Sequence, residues 1–124
     1  MATNTYPHSP PLTHRFITAM ITDVSTAGQI YVRPGFAGRM KNVYTALNGA
    51  IGTADAVITT KIAGTAVTGG AVTIAFTGSA AGDLDSSTPT AANTFTAAQA
   101  IEIETNGAST NTIAVVVTLE LEAV

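Results

Sequence analysis

The sequence has no cysteine and no tryptophan, and charged residues make up 10% of its 124 positions, against about 25% in an average soluble domain. The absence of cysteine excludes a fold held by disulfides and excludes thiol chemistry. A surface this poor in charge gives a free monomer low solubility. We therefore expect part of the surface to face other protein.

Long apolar runs are also missing, although the mean hydropathy is positive at +0.34. Polar residues interrupt every stretch before it reaches the roughly 20 apolar residues that a membrane-crossing helix needs, so no membrane partner is expected. Residues 1–14 are polar and proline-rich, with no basic segment followed by an apolar one. A cleaved signal peptide is therefore not expected.

Groups that support catalysis are scarce. The two histidines, His8 and His14, both lie within the first 14 residues, whereas a catalytic histidine needs a rigid supporting shell. Their spacing matches no common zinc motif, and the chain has no cysteine to complete one. The sequence therefore predicts that the protein is not an enzyme and has no cofactor or resident metal.

One segment leaves a calcium site open as an alternative. Asp83 and Asp85 begin like an EF-hand loop, but Thr88 and Thr94 stand where that loop requires glycine and glutamate. Aspartate in loops more often caps turns. Turn capping is therefore the favoured interpretation, and a different oxygen-rich calcium site is the other.

The charges divide unevenly along the chain. Residues 1–41 hold four basic residues against one aspartate, and residues 42–124 hold one lysine against seven acidic residues. Four positive charges without interleaved aromatic residues are too few for a nucleic-acid surface. Scatter over a solvated surface would explain the division, and so would a molecule that docks with its basic N-terminal side inward.

Residues 1–14 predict an extended N-terminal arm, and residues 15–124 predict a single β-sandwich domain. In the arm, Pro7, Pro10 and Pro11 fix φ and remove N–H donors, which excludes a helix or a central strand. An isolated arm of this composition would be disordered, whereas Tyr6 and Leu12 give it anchors for lying along a neighbouring protein.

Period-2 alternation dominates the rest of the chain and predicts seven or eight short strands, which is typical of a sandwich or a barrel. In the last two strands, isoleucine, valine and leucine face inward, whereas Glu102 and Glu104, and then Glu120 and Glu122, face outward. Predicted strands cover residues 15–22, 29–33, 39–47, 55–63, 72–76, 101–104 and 113–122. Residues 77–94 predict a long loop, and Asn106-Gly107 predicts a hairpin turn between the last two strands.

The first predicted strand differs from the others because both of its faces are fairly apolar. Phe16 and Met20 alternate with Ile17 and Ile21. Strands that are apolar on both faces are typically covered on both sides, so we expect two layers of protein around this one.

Several segments resemble small head-decoration and head-fibre-like structural proteins of tailed bacteriophages. The resemblance covers about residues 16–121 and is one of turn sequences, without a catalytic motif. It is carried by the segments Lys61–Ile74, Gly78–Asp83, Ser87–Asn93 and Ile101–Asn111.

The resemblance implies a jelly-roll-like antiparallel β-sandwich of about eight strands with an extended N-terminal arm. It further implies a structural protein on the outer surface of the virion, which binds the major capsid protein, assembles as a homotrimer and clamps adjacent capsomers. The family supplies no residue motif to transfer, so the predicted interface rests on arm anchors and on basic residues that could meet acidic capsid groups. These residues are Tyr6, Pro7, Leu12, His14, Arg15, Arg33, Arg39 and Lys41.

A carbohydrate-binding or adhesive module of a viral fibre is the alternative function. Sandwiches that bind glycans usually expose aromatic rings for stacking on sugars, and this chain has no tryptophan, three tyrosines and four phenylalanines. A major capsid protein is disfavoured because the chain is short and lacks helical patterns.

Overall fold

A computed structural model describes residues 13–124, which form ten β-strands and no α-helix. The strands are short and follow the period-2 alternation of the sequence. Their bounds are β1 His14–Ile21, β2 Gly28–Val32, β3 Gly38–Leu47, β4 Ala56–Ile62, β5 Thr65–Ala66, β6 Val72–Ile74, β7 Leu84–Ser87, β8 Thr94–Phe95, β9 Ile101–Thr105 and β10 Val115–Ala123.

The strands make two antiparallel sheets. The first sheet has the order β1-β10-β3-β7, with β8 also on β3, and the second has the order β2-β9-β4-β5, with β6 also on β4. Because β5 and β6 share one edge of β4, and β7 and β8 share one edge of β3, the ten strands occupy eight positions. This strand order is that of a jelly roll, so the predicted fold class is confirmed.

Alternation of apolar and polar residues builds the core between the sheets. On β10, Val115, Val117, Leu119 and Leu121 are fully buried, while the residues between them face outward. β9 and β4 follow the same rule. Each large aliphatic side chain buried in this way contributes roughly 1.5–3 kcal/mol, so these three strands hold much of the stability.

A β-bulge determines which side chains of β3 face the core. The register between β10 and β3 shifts between Glu120 and Leu121, so that Glu120 pairs with Asn42 and Leu121 with Met40. Lys41 is the extra residue, and the shift lets both Met40 and Val43 face the core. Without the bulge, one half of β3 would turn its apolar side chains to solvent.

Two local predictions are wrong. Asn106-Gly107 does not close a hairpin, because β9 lies in the second sheet and β10 in the first. Residues 106–114 instead carry the chain from one sheet to the other. The predicted loop at 77–94 contains β7, which pairs with β3 along Val43–Ala46.

The registers and connections define two ends of the sandwich. At one end lie the start of β1, the end of β2, the start of β3 and the end of β4, because His14 pairs with Glu122, Glu122 with Arg39, and Val32 and Ile62 both pair with Ile101. At the other end lie the connections 22–27, 48–55, 75–83 and 106–114. These ends separate the lysines and arginines from the aspartates, whereas Glu120 and Glu122 lie toward the same end as the basic residues.

Candidate docking surface

All five lysine and arginine residues lie toward the end of the sandwich where β1 begins. Each is within a few residues of a strand terminus at this end, as the strand bounds and registers require. We call this surface the basic end, and its residues are His14, Arg15, Arg33, Arg39, Lys41 and Lys61.

The predicted interface residues are therefore partly brought together. His14 and Arg15 open β1, Arg33 follows β2, and Arg39 and Lys41 lie near the start of β3. The remaining three, Tyr6, Pro7 and Leu12, lie outside the described residues. The predicted arm boundary falls one residue after the start of β1, because His14 already pairs with Glu122.

Lys61 belongs to this end although the sequence analysis did not select it. It lies 20 residues beyond Lys41 in the chain and reaches the same end because β4 runs back toward it in the second sheet. Placing Lys61 at this end requires the order of the strands in the sheet, which the periodicity of the sequence does not give. Its ammonium lies 3.3 Å from a carboxylate oxygen of Glu104.

The three arginines of the basic end are exposed, and each makes a different kind of contact. Arg39 pairs with Glu122 at 2.8 Å, and this guanidinium lowers the pKa of the Glu122 carboxyl. Arg33 donates Nε–H to the carbonyl of Ala97 at 3.1 Å. The Arg15 guanidinium lies 5.6 Å from the centroid of the Phe36 ring, a cation–π distance.

Glu120 organises the outer face of the first sheet beside the basic end. One carboxylate oxygen accepts hydrogen bonds from Tyr44 Oη and Asn42 Nδ2, both at 2.8 Å, and the other lies 3.1 Å from His14 Nδ1. These donors, Tyr44 and Asn42 before His14, lower the pKa of Glu120, and the hydrogen bond to Glu120 raises the pKa of Tyr44. The cluster ties β1 to β10 and β3.

A shallow polar cleft of about 240 Å³ opens next to this cluster, between the start of β3 and the segment after β7. Its walls include Arg39, Lys41 and Thr88. Thr88 donates its hydroxyl hydrogen to Asn42 Oδ1 at 2.9 Å, and Asn93 Nδ2 donates to the Met40 carbonyl at 2.8 Å. The cleft therefore combines positive charge with fixed hydrogen-bonding groups.

All four aspartates lie at the opposite end, which we call the aspartate end: Asp23, Asp55, Asp83 and Asp85. Asp23 accepts hydrogen bonds from the backbone and side chain of Ser25 and from the Thr26 hydroxyl, and these bonds lower its pKa. Asp55 accepts from the Phe76 N–H at 3.1 Å. Asp23 therefore caps its own turn and Asp55 links two connections, whereas the turn-capping prediction concerned Asp83 and Asp85.

Asp85 faces inward from β7, and its Oδ2 is buried without a hydrogen-bond partner. Burial raises its pKa, and the charge of Asp83 adds to the effect.

Among the residues that the structure describes, no group of three or more histidines or acidic residues is placed to hold a metal ion. The same residues include no helix that is long and apolar enough to cross a membrane.

The outer faces of the two sheets differ. The first sheet exposes Phe16 to 61%, Met20 to 51% and Leu84 to 74%. Residues 13–124 therefore cover only the inner face of β1, and the expected second layer is not among them. The second sheet carries Glu102 and other polar side chains on its outer face. The outer face of the first sheet is therefore the more apolar one, although Tyr31 is also exposed on the second sheet.

Comparisons of this chain with protein families, with curated proteins and with solved structures found no match.

Proposed function

We propose that this protein is a structural, non-enzymatic component of a virion, which binds the outer surface of a phage capsid and stabilises it by bridging adjacent capsomers. The observation that supports the proposal most is the gathering of every lysine and arginine at one end of a compact jelly roll. A sandwich with one basic end is suited to docking end-on against an acidic protein surface.

The position of the N-terminal arm supports the same orientation. β1 begins at His14, at the basic end, so residues 1–12 are joined to the domain at the end that would meet the capsid. Tyr6, Pro7 and Leu12 can then contribute contacts beyond the edge of the domain. An arm that reaches one capsomer while the domain contacts another would bridge the two.

Self-association completes the proposal. A homotrimer, as the resemblance implies, would place three basic ends and three arms on one site, and linked weak contacts give much higher avidity than any one of them. The low content of charged residues, 10%, supports extensive contact with other protein. The mechanism is energetic: added contact area at the seams between capsomers resists the outward pressure of packaged DNA.

The test is binding to purified phage heads that lack decoration. We expect the double variant Arg33→Gln, Lys41→Gln to bind at least ten times more weakly than the wild type, because two charges of the docking end are lost. The matched control, Gln29→Glu with Thr73→Glu, changes the net charge by the same amount on the exposed outer face of the second sheet. The control should bind within twofold of the wild type.

The dependence of head binding on salt concentration distinguishes docking through the basic end from nonspecific adhesion. Binding through the basic end should weaken as the ionic strength rises, because exposed charges are screened within about 8 Å at physiological salt. If both double variants lose the same affinity for phage heads, binding depends on the net charge of the protein and not on the basic end. No binding by the wild type at low salt would refute the proposal.

One observation favours the adhesive alternative enough to test it. Phe16 and Tyr44 are exposed on strands that flank Glu120, and Asn42 lies in the same row. Aromatic rings beside a carboxylate and an amide have the chemistry of a sugar-binding surface, which stacks rings and pairs hydroxyl groups. A glycan array would support this function by a specific signal that Phe16→Ala removes.

A further inference from the structure

The strand β1 has an unusual surface. Its outward side chains Phe16 and Met20 are more than half exposed, and its inward side chains Ile17 and Ala19 are only partly covered by the core. No charge interrupts residues 16–21. An uncharged strand that is apolar on both faces normally has protein on both sides.

The backbone of β1 is also exposed to pairing. β10 pairs with one edge of β1, and no other described strand pairs with the opposite edge. Long uncharged edge strands are the ones that recruit further protein. Elsewhere in the described sheets the edges are shorter. β2 has five residues, and β5, β6, β7 and β8 have two to four each; Asp85 also points inward from β7, a common protection of an edge.

The space between β1 and β2 is open as well. These two strands are the edges of the two sheets on the same side of the sandwich, and Ile30 and Val32 of β2 are only partly buried. A cleft of about 380 Å³ lies at the end of this seam, lined by Met20, Ile21 and the connection 22–27. β1 is thus an apolar corner with a free edge, an exposed outer face and an incompletely closed seam.

We propose that a second copy of this chain packs against the β1 corner, with the symmetry axis of the oligomer running parallel to β1. The corner has two complementary surfaces. Phe16 and Met20 project from the outer face of one copy, and the space between β1 and β2 of the next copy, beside Ile17 and Ile30, accommodates them. Rotation about an axis parallel to the strand brings the projecting side of one copy to the receiving side of the next.

The orientation follows from the charges and rests on the proposed function. An axis parallel to β1 keeps all basic ends on the same side of the oligomer, where every copy can dock. Antiparallel pairing of two β1 strands with Phe16 opposite Met20 would bring Arg15 within two residues of Asp23 of the neighbour, but exposed ion pairs contribute about 1 kcal/mol or less. It would also turn one basic end away from the capsid, so docking by all copies requires the parallel arrangement.

The absence of native cysteine makes cross-linking a direct test. With a short bifunctional maleimide, Met20→Cys alone should give covalently linked copies, because equal residues meet at equal heights in the parallel arrangement. Antiparallel pairing places residue 20 beside residue 16 of the neighbour, so it would link only a mixture of Met20→Cys and Phe16→Cys chains. The control Thr73→Cys, at an exposed position of β6 on the other sheet and away from β2, should stay unlinked.

Solution mass gives the second readout. By light scattering, the double variant Phe16→Asp, Met20→Glu should have the mass of one chain, 12.5 kDa, with a melting temperature that shows it is folded. Leu84→Glu, at an exposed site on the opposite edge of the same sheet, should keep the wild-type mass. If the wild type is an oligomer and the Phe16→Asp, Met20→Glu variant keeps the same mass, the inference is wrong. That result would not affect the proposal that the protein binds phage heads.

The remaining outcomes are also decisive. A monomeric wild type would overturn the inference, including the case in which residues 1–12 of the same chain cover the corner. An oligomer that cross-links through Met20→Cys but ignores phage heads would refute the proposed function and leave the contact between copies established.

Discussion

At the scale of single residues, Glu120 shows how the chain uses its few charges. The sequence predicted that this carboxylate faces outward on a strand, which is correct. It gave no sign that Tyr44, Asn42 and His14 converge on it, because these residues come from two other strands whose order was unknown. The alternation of one strand fixes which way a side chain points, but its neighbours depend on strand order.

The Glu120 cluster predicts a pH dependence of stability. Because the folded-state pKa of Glu120 lies below its usual value of 4.5, the stabilisation is present above that value and is lost as the pH falls through the folded-state pKa. Glu120→Gln should lower the free energy of unfolding by about 1 kcal/mol at pH 7. The difference from the wild type should shrink as the pH falls below the usual pKa of 4.5.

Urea titrations at several pH values would measure this effect. Glu102→Gln is the matched control, because Glu102 also faces outward on a strand but on the other sheet. A gap between the wild type and Glu120→Gln that stays constant down to pH 3 would contradict the electrostatic explanation.

At the scale of elements, the errors of the sequence analysis have identifiable causes. β7 falls within the predicted loop because its polarity pattern is the reverse of a normal strand, with the apolar Leu84 exposed and the charged Asp85 turned inward. Asn106-Gly107 has turn chemistry, and Gly107 does adopt a positive φ of 68°. The hydrogen bond from the Val57 N–H of β4 to Asn106 Oδ1 holds the start of this turn on the second sheet, but the next strand, β10, pairs in the first sheet. Local residues set the bend, and packing between the sheets decides where the chain goes next.

Gly107, the single glycine of this connection, should be hard to replace. Its positive φ strains any other residue, and an added Cβ would meet the backbone of Ala27. Gly107→Ala should therefore lower the free energy of unfolding by about 3 kcal/mol, of which about 1–2 kcal/mol is left-handed strain.

Gly35→Ala is the control for that substitution. Gly35 has a φ of +80° but nothing within 4 Å of the added carbon, so the cost should be near 1 kcal/mol. Equal costs for the two variants, measured by thermal unfolding, would show that the contact between 106–114 and the β1–β2 connection contributes nothing.

At the scale of the whole molecule, neighbouring strands in each sheet are distant in sequence. β1 pairs with β10, and β2 with β9, so the first strands are completed by the last. The jelly-roll order was implied by the resemblance and could not be read from strand periodicity alone, because alternation says which residues are buried and not which strands are adjacent.

This topology predicts slow folding. Contacts between distant parts of the chain form only after large loops close, so we expect folding in milliseconds to seconds at 25 °C. Stopped-flow tyrosine fluorescence after dilution from urea would measure it, since the chain has three tyrosines and no tryptophan. Folding in microseconds would contradict the pairing of the first strands with the last.

The position of the aspartates opposite the basic end also has a consequence for a coated particle. With the basic ends turned inward, Asp23, Asp55 and Asp83 would lie in the outermost layer. Repeated over a whole shell, this layer would shift the electrophoretic mobility of the particle toward the anode. It would also make particles repel one another, so the same coat that reinforces the shell would keep a crowded suspension colloidally dispersed.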